Sequence, residues 1–138
     1  MIMEKLYTAS VTAIGGRDGH IKSSDGVLDL ELRKPKELDG QGGTTNPEQL
    51  FAAAWGACYL GALGSIAAHD GVDITDANVN VHISFNKDGN AFALSADLDV
   101  HIPNLSHDDA QLLADKAHKT CPYSKATRGN IEVRVTAV

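Results

Sequence analysis

The feature that most constrains this chain is the run from Leu50 to Ala68, nineteen residues without a charge in a sequence of 138. Length alone would let such a run cross a bilayer. Its make-up points elsewhere: seven Ala, three Gly and one Ser leave it only weakly hydrophobic, and no basic residues flank it. The run therefore reads as a buried central helix around which the other elements pack, with no membrane involved. A start signal precedes it. Asn46 suits the N-cap, Pro47 suits the first helical position, and Gln49 completes a capping-box pattern. Glu48 puts a carboxylate in the first turn, where the helix dipole favours it. Asp70-Gly71 marks the end. Gly56, Gly61 and Gly64 each cost about 1 kcal/mol against Ala in a helix interior, which predicts close packing of other backbone on this helix.

The flanking segments alternate between strand and helix periods. Tyr7, Ala9, Val11 and Ala13 predict a first strand, followed by a turn in which Gly15, Gly16, Asp18 and Gly19 surround Arg17. Val27 to Leu32 alternates, with Leu28, Leu30 and Leu32 on one face, and a glycine-rich loop covers 40–45. After the central helix, Val79, Val81, Ile83 and Phe85 alternate with polar residues. Phe92, Leu94, Ala96, Leu98, Val100 and Ile102 do the same, with a hairpin turn at Lys87-Asp88-Gly89-Asn90. Ser106 caps a second helix with Asp109 three residues on, and Ala110, Leu113, Ala114 and Ala117 form its apolar stripe. The stripe reaches Cys121, where Pro122 disfavours further α conformation. Residues 131–138 form a last strand. The order predicts an α+β domain over 1–138, with largely antiparallel sheet around the long helix.

Composition narrows the function. A net charge of −6 without clustered Lys and Arg excludes nucleic acid as the main partner. Residues 1–6 do not read as a signal peptide, so a cytoplasmic protein is expected. There a structural disulfide between Cys58 and Cys121, 63 residues apart, is not expected, and two inert buried thiols is the plain reading.

For Cys58 to act as a nucleophile it needs a cation. An ordinary thiol, with pKa about 8.5, is only a few per cent thiolate at neutral pH. Lowering that value by two to three units takes about 3 to 4 kcal/mol. One guanidinium at about 4 Å supplies this only where the effective dielectric is near 20, in a sheltered site. The chain has four arginines, and Arg17 lies in a glycine-flanked turn. Spacing alone leaves Arg17 a solvated turn residue and Glu48 a first-turn carboxylate.

Three segments add to this. GGRDG (15–19), NPEQLFAAAWGACYLGAL (46–63) and CPYSKATRGNIEV (121–133) resemble, in order and over nearly the whole length, the hallmark blocks of the organic hydroperoxide resistance (Ohr) family. This is the peroxidase branch of the OsmC-like superfamily. The second and third blocks together are specific. The resemblance implies an OsmC-like fold in an intertwined homodimer, and a lipoyl-dependent thiol peroxidase acting in antioxidant defence. It places Cys58 on the peroxidatic cysteine, Cys121 on the resolving cysteine, Arg17 on the activating arginine and Glu48 on its carboxylate partner. It also implies a Cys58–Cys121 disulfide re-reduced by dihydrolipoamide or a lipoylated protein, with no bound cofactor or metal. Trp55-Gly56 and Tyr59 fall where such motifs vary. Leu50, Phe51, Trp55 and Tyr59 are expected to give an apolar lining to a substrate pocket beside Cys58.

Three other readings compete. His118 and Cys121, at i, i+3 spacing, could join Cys58 on zinc, although no CxxC pair is present. The apolar pocket could serve a non-catalytic fatty or aromatic ligand. The sister OsmC branch shares the chemistry with a different peroxide preference, and the CPYSKATRGN block favours the hydroperoxide-resistance branch.

Overall fold

A computed structural model describes residues 2–138, which form two compact units, one up to Pro47 and one from Glu48. The N-terminal unit is an antiparallel sheet of β1 (Val11–Ile14), β2 (Gly19–Ser23) and β3 (Asp29–Leu32), in that order. The β1–β2 turn explains its glycines. Gly15 and Gly16 take positive φ, and a Cβ on Gly19 would lie 1.9 Å from the Ile14 carbonyl oxygen. No other residue fits that approach. The strand expected from Tyr7 is shorter than its alternation suggests: among the described residues it begins at Val11, with Ser10 only accepting one backbone bond, from the Ser24 amide at 2.9 Å. Among the described residues of this unit, only Ile21 and Leu32 are buried apolar side chains.

The C-terminal unit contains α1 (Pro47–Asp70), β4 (Asn78–Asp88), β5 (Ala91–His101), α2 (His107–Thr120), α3 (Pro122–Thr127) and β6 (Glu132–Ala137). Helix α1 starts and stops where the capping signals place it, and Gly71 follows at φ 67°. It is long and apolar enough to span a bilayer, yet it carries the core of this unit. Its buried face is Trp55, Tyr59, Ala62, Leu63 and Ala67, while Leu50, Ala54, Cys58 and Ser65, which line up with Ala62 at helical spacing, are not buried. The two large rings decide the rotation, since they bury the most area. Expected backbone packing at the helix glycines is also corrected. Gly56 faces the Val81 and Val79 side chains, 3.3 and 3.7 Å from a built Cβ, while Gly61 and Gly64 face open space within the chain.

The second sheet runs β4-β5-β6. Val79, Val81 and Ile83 sit opposite Val100, Leu98 and Ala96, which in turn pair with Ala137, Val135 and Val133. One face is thus continuously apolar, as the period-2 pattern requires. The β5–β6 pair is parallel, an exception to the antiparallel expectation. Its physical cause is the crossover through α2 and α3, long enough to bring β6 back in the same direction.

Strand β6 lies at the sheet edge, and α2 covers it with one side chain. Gln111 Oε1 accepts from the Ala137 amide at 2.7 Å and its Nε2 donates to the Val135 carbonyl at 3.1 Å. Edge groups left open cost stability and invite foreign pairing. Gln111→Ala is expected to lose about 1–3 kcal/mol, because it strands two backbone groups rather than one side chain. Urea unfolding measures this, and a loss below about 0.5 kcal/mol, the range of ordinary surface changes, would show that water replaces both bonds.

Candidate active site

The two cysteines meet inside the C-terminal unit. Cys58 lies in the middle of α1, half-buried at the border of its core face, and Cys121 lies fully buried at the junction of α2 and α3. Their sulfurs are 3.7 Å apart, with the Cys121 thiol donating to Cys58 Sγ. Pro122 builds the junction. Cys121 takes an extended conformation (φ −60°, ψ 124°), as the residue before proline should, and Pro122 then starts α3 as its first residue. The Cys121 amide still closes α2 on Ala117 O at 2.8 Å, and its carbonyl opens α3 by accepting from the Lys125 amide at 2.9 Å. Sequence reasoning placed the end of α2 and missed α3; the proline at a helix N1 position was the available signal.

Burial pushes the Cys58 thiol above its ordinary value. The Tyr123 backbone N–H, directed at the Cys58 sulfur, works in the opposite sense. Cys121 raises Cys58 further as hydrogen-bond partner and as competing charge, because adjacent thiols do not both ionise readily. Within this unit, then, the two sulfurs are in contact and the surroundings of Cys58 favour its protonated form.

Trp55 and Tyr59 do not line a pocket in this unit, contrary to expectation. Both are fully buried with their polar tips satisfied. The Trp55 indole N–H donates to Ser124 Oγ at 3.1 Å, and the Tyr59 hydroxyl donates to the Ala114 carbonyl at 2.7 Å. Burial, with Asp115 and Cys121 adding to it, pushes the Tyr59 phenol up. Leu50 and Phe51, also expected in the lining, are half-buried on α1, with the Phe51 ring edge-on to Trp55 at 5.8 Å.

Glu48 is half-buried in the first turn of α1. Arg17 is half-buried in the β1–β2 turn of the N-terminal unit. The assignment of both to the cysteine site rests on the motif resemblance. For the zinc reading, no three His, Cys, Asp or Glu side chains are grouped as metal ligands among the described residues. His118 instead has its Nδ1 enclosed without a partner. Burial and the nearby Arg128, only partly offset by Asp115, push its pKa down.

A family model described as OsmC-like protein matches residues 40–136. The organic hydroperoxide resistance protein of Xanthomonas axonopodis pv. citri is 44% identical over 133 residues, covering 95% of this chain and 94% of its own. Organic hydroperoxide resistance protein OhrB of Bacillus subtilis is 47% identical over 133 residues, covering 94% and 96%. Among solved structures, an organic hydroperoxide resistance protein OsmC from Legionella pneumophila superposes with a TM-score of 0.91 at 41% identity, over 97% of this chain and 98% of that one. The chain belongs to the OsmC-like family, in its organic hydroperoxide resistance branch.

Proposed function

We propose that this chain is a cysteine-based peroxidase that reduces organic hydroperoxides, fatty-acid hydroperoxides included, to alcohols in oxidative-stress defence. The observation that carries this reading is the 3.7 Å contact between a half-buried Cys58 and a fully buried Cys121. The more exposed sulfur attacks the peroxide, and the sheltered one waits beside it. The Cys58 thiolate takes one peroxide oxygen, the O–O bond breaks, and the departing alkoxide picks up a proton to leave as alcohol. Cys58 is left as a sulfenic acid. Condensation with the Cys121 thiol forms the disulfide and releases water, the reversible rung of thiol oxidation. Dihydrolipoyl groups on a partner protein then return both thiols by exchange, becoming lipoyl disulfides.

The thiolate form is supplied by Arg17, oriented by Glu48, as the motif resemblance implies. The working unit is a cytoplasmic homodimer. A second copy would cover apolar surface that one chain leaves open, including Ile2, Leu6, Tyr7 and Ile14, together with the unfilled side of α1 at Gly61 and Gly64.

One equivalent of cumene hydroperoxide is expected to consume both thiols of the reduced protein, and dihydrolipoamide to restore both. Thiol titration before and after addition reads this directly. Thiols that survive an equivalent of peroxide would end the peroxidase reading. A long-chain hydroperoxide is expected to react at least about tenfold faster than hydrogen peroxide, from two or three methylenes buried near Cys58 at about 0.8 kcal/mol each. Equal second-order rate constants would remove the apolar lining from the account.

A further inference from the structure

Two buried hydrogen bonds bracket the dithiol, and neither belongs to the chemistry described so far. Trp55 precedes Cys58 by three residues on α1, and Ser124 follows Cys121 by three on the other side of the sulfur contact. Both are completely enclosed, and the indole N–H reaches Ser124 Oγ at 3.1 Å. Ser124 is a rigid point in α3. Its carbonyl accepts from the Thr127 hydroxyl and the Arg128 amide, both at 3.0 Å. Arg128 in turn donates to the His118 carbonyl at 2.7 Å, tying α3 back to the end of α2. Tyr59, one residue after Cys58, fastens α1 to α2 at the Ala114 carbonyl.

We propose that Trp55 is a positioning residue: by holding Ser124, its indole N–H keeps the Cys121-Pro122-Tyr123 elbow pressed on Cys58 and so sets how readily the two sulfurs join. The elbow has few other ties to α1. Cys121 has no hydrogen bond to that helix besides its own thiol contact, and Pro122 has no N–H to give. The same elbow carries the Tyr123 amide that offsets burial at Cys58. A looser elbow therefore loses sulfur contact and amide together. The proposal rests on the Cys58–Cys121 pair being the working dithiol of the proposed peroxidase.

The test separates the two. Reduced protein is equilibrated with mixtures of reduced and oxidised dithiothreitol, and the dithiol and disulfide forms are counted by alkylation and mass. Two cysteine thiols give up two electrons and two protons to oxidised dithiothreitol, which becomes its dithiol, so no peroxide enters. Trp55→Phe keeps an aromatic ring but loses the donor along with part of the indole's volume, while Ser124→Ala removes the hydroxyl acceptor and leaves the ring in place. Each is expected to shift the equilibrium about fivefold or more toward the dithiol, the worth of one buried hydrogen bond. The double variant is expected to be no worse than either single one, as for partners in one bond. Gln111→Ala, which destabilises the unit elsewhere, is expected to lower the unfolding midpoint and leave the equilibrium unchanged. If both Trp55→Phe and Ser124→Ala stay within about twofold of the parent, or Gln111→Ala moves as far as they do, the hydrogen bond is ordinary packing and the proposal is overturned. A parent protein that equilibrates with dithiothreitol but ignores hydroperoxide would overturn the peroxidase reading alone, with the variants still deciding the role of Trp55.

Discussion

Cys58→Ser is expected to abolish peroxidase turnover with dihydrolipoamide, a loss on the order of a thousandfold or more, as befits removal of the nucleophile itself. The Cys121→Ser variant should behave differently. Cys58 is the half-buried member of the pair, so its reaction with peroxide survives the change. With no neighbouring thiol to condense with, the sulfenic acid persists and excess peroxide carries it to the irreversible sulfinic and sulfonic acids. One equivalent of alcohol per Cys58 would be released, followed by dead protein. Product counting under limiting and excess hydroperoxide, with mass analysis of Cys58, reads both results. Retained turnover in Cys58→Ser would sink the assignment of the nucleophile. Sustained turnover in Cys121→Ser would remove only the resolving role.

The second large effect concerns Arg17. The surroundings within the C-terminal unit push the Cys58 thiol up, through burial first and then Cys121, with the Tyr123 amide in partial opposition. A thiolate at neutral pH therefore has to be supplied from outside that list, and the proposed source is the Arg17 guanidinium. The sign follows directly. Only the deprotonated sulfur reacts, so raising its pKa moves the rise of the alkylation rate to higher pH and leaves less thiolate at pH 7. In Arg17→Ala the midpoint should sit at or above the free-thiol value near about 8.5, and the rate at pH 7 should fall about 100-fold, as two pKa units imply. Glu48→Ala should move the midpoint less and the peroxide rate more, because the cation stays charged but loses its orientation. The double variant should be little worse than Arg17→Ala, as expected for residues that work as one unit. Iodoacetamide alkylation against pH in the four proteins tests this, and an unmoved midpoint in Arg17→Ala would return Arg17 to a turn residue with no part in the site.

How much of this was readable beforehand depends on whether a residue's neighbours are local. The α1 limits, the Ser106 cap on α2 and the β4–β5 hairpin follow from contacts a few residues away, and the structure has them where the signals lie. The Ser106 hydroxyl accepts from the Asp109 amide at 3.2 Å, as the spacing predicts. The rotation of α1 was not legible in that way. Two sets of residues on that helix satisfy the same periodicity, and burying the two large rings requires partners for their polar tips, Ser124 and the Ala114 carbonyl, 69 and 55 residues downstream of Trp55 and Tyr59. For the same reason two rings expected in a pocket turned out to be core. The direction of β6 also depends on distant geometry, since a crossover and a hairpin leave the same alternation in the strand. Motif resemblance brought Cys58 and Cys121 together, which spacing alone could not, and the sulfur contact agrees with it.

The long sequence separation of the two thiols has a thermodynamic consequence of its own. Cys58 and Cys121 are 63 residues apart, so joining them closes a large loop. In an unfolded chain that closure forfeits much freedom, about 4 kcal/mol at room temperature on the chain-entropy account, whereas in the folded chain the sulfurs already touch. Folding and oxidation are therefore linked: the native state favours the disulfide, and by reciprocity the disulfide favours the native state. An oxidised molecule waiting for its reductant would be the harder one to unfold. Exposure to peroxide would then leave the protein temporarily protected against heat and proteolysis until its thiols are restored.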